Sequence, residues 1–254
     1  MECKNCGNIA NGFYCPHCAQ KTKLDRITFR SLLEEISDTV FQINKGFLYT
    51  IKELFVRPGH TIREYLEGKR KNHFKPIAFV FTLSTIYFFI SRWIDSGTFL
   101  SEIFESFTQS AYDNNDKFEG TKALIEVFKW LTNNYAYTIL TLLPLYSLAS
   151  YFSFLGTKFN YLEHLALNAY ISGQQAIIYI LFLTPNLFLN SIHYIDDIPL
   201  FISTVYTFWV FRQLFSELGI GAVIFRTILT YVLYFVFIIG IITCFGIVFF
   251  FLNM

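Results

Sequence analysis

Four cysteines near the start of the chain, Cys3, Cys6, Cys15 and Cys18, form two C-x-x-C pairs separated by eight residues. Each pair can place two thiolates on one ion, and two pairs complete a tetrahedral S₄ shell suited to Zn²⁺. Four thiolates close that shell and leave no position for water or substrate, so the chemistry expected is structural rather than catalytic. Residues 1–24 cannot bury a core of their own, and the metal would supply most of their folding free energy. The position after the second cysteine of such a turn often needs φ > 0. Gly7 meets that need and Ala19 does not, so the second turn is expected to be strained or differently shaped. Asn11-Gly12 between the halves signals a type I′ turn. His17 reads as a solvated histidine rather than a ligand. Disulfides would require an oxidising compartment, yet no secretory signal precedes the cysteines, and thiols on the reducing side favour metal. Cys244 lies in an apolar run and reads as a small core residue.

The elements that carry this knuckle are mostly apolar. The chain is 54% hydrophobic and only 15% charged, against about 25% charged in soluble domains. Residues 1–75 hold 13 of the 20 Lys and Arg and 8 of the 19 Asp and Glu, and the remainder holds 7 and 11. A near-neutral total thus hides a basic head and a slightly acidic apolar body. Lys4, Lys21, Lys23 and Arg26 fringe the knuckle. Beside an apolar body this charge suits anionic lipid headgroups, and nucleic acid is not the partner expected.

Residues 25–75 read as cytoplasmic juxtamembrane helices. Leu33, Ile36, Val40, Phe41, Ile43, Phe47, Leu48, Ile51, Leu54 and Phe55 make an apolar stripe at helical spacing, too broken by charge to span a bilayer. Asn44-Lys45-Gly46 interrupts it and Arg57-Pro58-Gly59 ends it. A short basic helix follows from His60 to Arg70. Arg57, Lys69 and Arg70 are candidate contacts for a lipid headgroup or anion.

Residues 76–254 predict a transmembrane bundle of about five helices, at 76–94, 136–155, 165–189, 198–215 and 224–252, each near the roughly 20 residues a span needs. An acidic loop at about 95–135 joins the first two. With the head inside, inner segments collect 16 Lys and Arg and outer segments 4. That ratio predicts a cytoplasmic N-terminus and an external C-terminus. Tyr87, Trp93, Trp130, Tyr135, Tyr137, Tyr151, Tyr161, Tyr194 and Trp209 near the span ends suit interfacial belts.

The third span carries the remaining polar pattern. His164, Asn168, Ser172 and Gln175 share one helical face, with Glu163 at its mouth, and Ala166, Ala169, Gly173 and Ala176 form a neighbouring small face. Two readings stay open: hydrogen bonding between helices, or a polar path through the bundle. No catalytic constellation, phosphate loop or nucleophile elbow is visible.

The whole chain resembles an uncharacterised family of bacterial multi-pass membrane proteins with a short N-terminal zinc ribbon, a domain of unknown function. The resemblance rests on the four cysteines, Arg57-Pro58-Gly59, the run Tyr65…Gly68-Lys69-Arg70…Pro76, and Tyr161-x-Glu163-His164. The knuckle here ends Cys18-Ala19-Gln20, where the family usually has Cys-Gly-Gln. The resemblance implies a bacterial inner-membrane location and no known reaction. The expectation is an all-α membrane protein whose zinc ribbon is a non-enzymatic docking or sensing platform, with the bilayer, a cytoplasmic protein and a second copy of the chain as candidate partners. An oligomeric channel or membrane-perturbing effector in a defence or stress system is the alternative. A lipid-headgroup-modifying enzyme is the third reading.

Overall fold

The computed structural model describes residues 1–22, 45–94, 126–127, 129–184 and 197–252. The N-terminal half of the juxtamembrane stripe (Leu33 to Ile43) and most of the acidic loop lie outside these residues. Seven helices follow one another among the described residues named here: α1 Lys45–Val56, α2 Pro58–Glu67, α3 Pro76–Trp93, α4 Tyr135–Ser153, α5 Tyr161–Leu183, α6 Asp197–Leu214 and α7 Ile220–Leu252.

Local chemistry sets the boundaries. Pro58 and Pro76 open α2 and α3 at a first-turn position, where the missing N–H has no intrahelical partner to lose. Gly68 ends α2 with φ of 115°, a left-handed cap that a Cβ would strain. Its N–H and that of Lys69 bond back to the carbonyls of Tyr65 and Glu64. Asn160 opens α5: its side chain accepts from the Glu163 N–H at 2.9 Å, and Glu163 Oε2 accepts from the Asn160 N–H at 2.8 Å. This reciprocal pair satisfies two N–H groups at the helix start.

α3 and α5 run parallel, with Phe79 over Gly173 and Tyr87 beside Tyr179. A Cβ on Gly173 would lie 2.5 Å from the Phe79 ring, so the glycine allows the close approach. α4 runs antiparallel to both. α6 packs on α5 and α2, and α7 lies against α4 at the edge. The shared core holds Ile62, Tyr65, Phe79, Leu167, Tyr170, Ile171, Phe211 and Leu214.

Among the described residues, three helices are long and apolar enough to cross a membrane: Pro76–Trp93, Tyr161–Leu183 and Ile220–Cys244. Eighteen residues of α3 span about 27 Å, close to the roughly 30 Å of a hydrocarbon core. Each of the five expected spans falls on a helix over its described residues, residues 185–189 of the third lying outside them, but α4 and α6 fall short on composition rather than length. Serine, threonine and tyrosine dilute α4, and Asp197, Arg212 and Gln213 dilute α6. Cys244 is exposed rather than in the core. Tyr87 and Tyr135 do not line a belt; they are buried and meet edge to face at 4.9 Å. Trp93, Trp130 and Tyr137 are exposed.

α1 and α2 form a collar against the bundle. Phe47 and Leu54 of α1 and Ile62, Tyr65 and Leu66 of α2 are buried. Polar ties fix the collar at three depths: Tyr206 Oη donates to the Leu54 carbonyl at 3.1 Å, Tyr170 Oη to the Phe74 carbonyl at 2.6 Å, and the Gly59 N–H to Gln213 Oε1 at 2.9 Å.

Candidate metal centre and its seat on the collar

The four cysteines come together. Their sulfurs all lie within 4.8 Å of one another, and Cys3–Cys18 and Cys6–Cys15 each approach to 3.6 Å. A tetrahedron with metal–sulfur bonds of about 2.3 Å has edges of about 3.8 Å, so the sulfurs fit the corners of a zinc–thiolate shell. The same spacing is far beyond a disulfide bond of about 2.05 Å.

Backbone geometry repeats between the halves. The Gly7 N–H bonds to the Cys3 carbonyl and the Ala19 N–H to the Cys15 carbonyl, both at 2.8 Å. The Cys3 N–H reaches the Asn8 carbonyl at 2.9 Å, and the Cys15 N–H reaches that of Gln20 at 2.8 Å. Gly7 has φ of 75° and Ala19 φ of 56°. The second turn therefore keeps the shape of the first, and Ala19 accepts the left-handed conformation at some cost. The expected type I′ turn does not form, because neither Asn11 nor Gly12 has positive φ. Instead Thr22 ties this link: its hydroxyl donates to the Gly12 carbonyl at 2.6 Å and its N–H to that of Phe13 at 3.0 Å.

Electrostatics within the cluster favour a cation. Backbone N–H groups of Cys6 and Asn5 hold the Cys3 thiol down at about 7. Those of Cys18 and His17 lower Cys15 against the effect of burial. For Cys6 the Asn8 N–H also lowers, but burial and the three neighbouring sulfurs outweigh it and push the thiol up to about 12. Successive thiolates repel, so the full S₄ charge needs a positive ion at the centre. His17 is exposed, as expected of a solvated histidine.

Gln20 ties the knuckle to the collar. Gln20 is buried, and its Nε2 donates to the Gly68 carbonyl at 2.8 Å. Its Oε1 accepts from the N–H groups of Arg70 at 3.1 Å and Lys71 at 3.0 Å. Asn8, its counterpart in the first half, is exposed. An open cleft of about 510 Å³ separates the first half from Lys69, lined by Glu2, Cys3, Lys4, Asn5, Cys6, Gly7 and Lys69.

Two of the three headgroup candidates converge on one carboxylate. Arg57 bonds Glu53 at 2.5 Å and Glu64 at 3.1 Å, and Lys69 reaches Glu64 at 3.4 Å. Burial opposes ionisation of Glu64, but Arg57 and then Lys69 hold its carboxyl below the usual range. Their charge is thereby shared with two acids. Arg70 instead lies over the Tyr65 ring, 5.4 Å from its centre, with Nε on the Tyr65 carbonyl at 3.3 Å.

The polar face of α5 divides between two neighbours. His164 Nδ1 lies 3.0 Å from Ser150 Oγ, and Asn168 Nδ2 donates to Ser150 Oγ at 2.7 Å, both toward α4. Gln175 Nε2 donates to Thr207 Oγ1 at 3.0 Å and to the Ser203 carbonyl at 3.3 Å, both on α6. Ser172 is half-buried between these turns. Glu163 serves the helix cap. Buried Gln174, with both amide atoms unpaired among the described residues, escaped the sequence pattern because it sits off the chosen face. Asn160-x-x-Glu163 was a readable cap signal.

A family model described as "Protein of unknown function (DUF3667)" matches residues 44–88. That stretch runs from the start of α1 through the collar into α3 and includes the Gly68–Lys71 turn that receives Gln20. No curated protein and no solved structure matches the chain. The fold and site define a helical protein with three membrane-capable helices and a four-cysteine, metal-capable knuckle. Over residues 44–88 it is similar to a family of unknown function.

Proposed function

We propose that this is a multi-pass protein of a bacterial inner membrane whose N-terminal zinc ribbon is a cytoplasmic docking platform, non-enzymatic in itself. The observation that carries the reading is the knuckle's fixed seat. Gln20 holds it to the collar while Ile9, Phe13 and Tyr14 are 76%, 90% and 58% exposed. Large apolar side chains on a rigid, metal-stapled head suit a protein partner. The closed S₄ shell and the capping role of Glu163 support a non-catalytic assignment. Placement of the head inside is supported by charge. Lys158 pairs with Glu67 at 3.1 Å, Arg63 donates to the Leu214 carbonyl, and Arg226 donates to that of Leu155 at 3.2 Å. These basic residues gather at the collar end, as a cytoplasmic face requires.

A photo-crosslinking residue at Phe13 in intact cells tests the reading. A protein adduct is expected that disappears in the Cys15→Ser, Cys18→Ser double variant. Adducts confined to lipid, or unchanged by loss of the cysteines, would sink it. An externally active reporter fused at the C-terminus and a cytoplasm-dependent one at the N-terminus test the topology.

A further inference from the structure

We propose that the Gly68–Lys71 turn is a binding site for a phosphate group, which Gln20 fills in the anion's place while the knuckle is docked. The N–H groups of Arg70 and Lys71 converge on a single oxygen, Gln20 Oε1, at 3.1 and 3.0 Å, and the Arg70 N–H is shared with the Gly68 carbonyl at 3.1 Å. Successive N–H groups aimed at one point make the concave nest in which anions settle. The left-handed Gly68 turns the chain to form it. The oxygen now held there is a neutral amide carbonyl, and an anionic oxygen makes shorter and stronger bonds to the same donors.

The surrounding groups specify phosphate. Lys69, Arg70 and Lys71 are consecutive; the Lys71 side chain is exposed, and that of Lys69 is exposed while pairing with Glu64 at 3.4 Å. The nest also contains one acceptor, the Gly68 carbonyl, which accepts hydrogen bonds from Gln20 Nε2 at 2.8 Å and from the Arg70 N–H at 3.1 Å. A replacement ligand that reproduces all three of Gln20's bonds accepts two N–H bonds and donates one. A singly protonated phosphate does both, through a P–O⁻ and a P–OH. Free phosphate and a phosphatidic acid headgroup share that chemistry. The turn lies a few residues before Pro76, where α3 begins, so either source can reach it.

Phosphate and the docked knuckle compete for the same two N–H groups. Gln20 belongs to the second half of the knuckle, where its carbonyl accepts from the Cys15 N–H at 2.8 Å. Metal in the knuckle therefore favours the masked site, and by linkage phosphate weakens metal retention by the same factor. Only this coupling rests on the zinc reading; the nest does not.

The test uses the full chain in nanodiscs, with hydrogen exchange at the Arg70 and Lys71 amides as the readout and native mass spectrometry for metal content. Wild type, chelator-treated wild type and Gln20→Ala are compared in phosphatidylcholine discs with and without inorganic phosphate, and in discs containing phosphatidic acid without it. Loss of Gln20 should speed exchange most at the Lys71 amide, since the Arg70 N–H keeps its bond to the Gly68 carbonyl, and a bound phosphate should slow it again by about tenfold, the worth of one to two hydrogen bonds. Protection by inorganic phosphate identifies the free ion as a source, and protection by phosphatidic acid identifies the headgroup. No protection by either probe, in both Gln20→Ala and the chelated chain, overturns the site. Wild type without metal would overturn the zinc reading alone and leave the Gln20→Ala comparison intact.

Discussion

Gln20 and Gly68, 48 residues apart, meet through a 2.8 Å hydrogen bond that seats the cysteine knuckle on the end of α2. The same amide closes two further bonds to Arg70 and Lys71. Each of these three bonds contributes about 1 kcal/mol. Gln20→Ala should therefore weaken docking by about 2–3 kcal/mol while leaving the four cysteines close enough to hold a metal ion. Limited proteolysis should cut the head free faster in Gln20→Ala than in wild type, at equal zinc content. Equal cutting rates would mean that other contacts seat the knuckle.

Ala19 holds a left-handed conformation that its counterpart Gly7 adopts freely. That conformation costs a residue with a Cβ about 1–2 kcal/mol, and glycine gives back about 0.5–1 kcal/mol through its looser unfolded chain. Ala19→Gly should therefore tighten metal retention by up to several-fold, read as slower zinc transfer to a chromophoric chelator. Gly7→Ala should have the opposite sign. Faster zinc loss from Ala19→Gly would show that the turn is not under strain.

The cysteine spacing made the centre legible, because C-x-x-C geometry is local and survives any arrangement of the rest. Helix positions were legible for the same reason: apolar runs and prolines at 58 and 76 mark their own boundaries. What escaped were properties of pairs. Nothing local in Gln20 marks it as the seat of the knuckle, since its partners lie at 68, 70 and 71. The α5 stripe looked continuous along one helix, but whether it lines a path depends on α4 and α6, which divide it. Arg57 and Lys69 looked like cations awaiting an anion until Glu53 and Glu64 were placed beside them. Gly59 read as a helix stop, whereas it also sets the distance between two helices.

At Gly59 an added Cβ would lie 2.4 Å from Gln213 Cβ and 2.6 Å from the Leu214 nitrogen and the Val210 oxygen. Two of these are backbone atoms of α6 and cannot rotate away. Gly59→Ala should force α2 off α6, break the bond to Gln213 and cost about 2–3 kcal/mol, as overpacked cores do. Gly221 in α7 has nothing within 4 Å, so Gly221→Ala should be neutral or stabilise the helix by up to about 1 kcal/mol. Thermal unfolding in one detergent separates the two. A Gly59→Ala protein as stable as Gly221→Ala would refute the close crossing.

His73 makes the collar sensitive to acid. It is buried with its ring edge-on to Tyr49 at 5.4 Å and near Tyr65 at 6.1 Å. Burial lowers its pKa below the usual histidine value; the Lys69 carbonyl, Glu64 and Glu53 pull the other way, and Arg57 adds to the lowering. The unfolded chain keeps an ordinary histidine near 6.5 and so takes up its proton first as pH falls. The stability contributed by neutral His73 is therefore complete above about pH 6.5 and is lost as pH drops from there through the folded-state pKa. Thiolates on a metal ion would also protonate in acid, so the comparison must hold the knuckle constant. His73→Phe keeps an aromatic ring between Tyr49 and Tyr65 and removes the titration. Its melting temperature should fall less than that of wild type between pH 7.5 and pH 5, with the knuckle intact in both. Parallel slopes would assign the acid sensitivity to the cysteines instead.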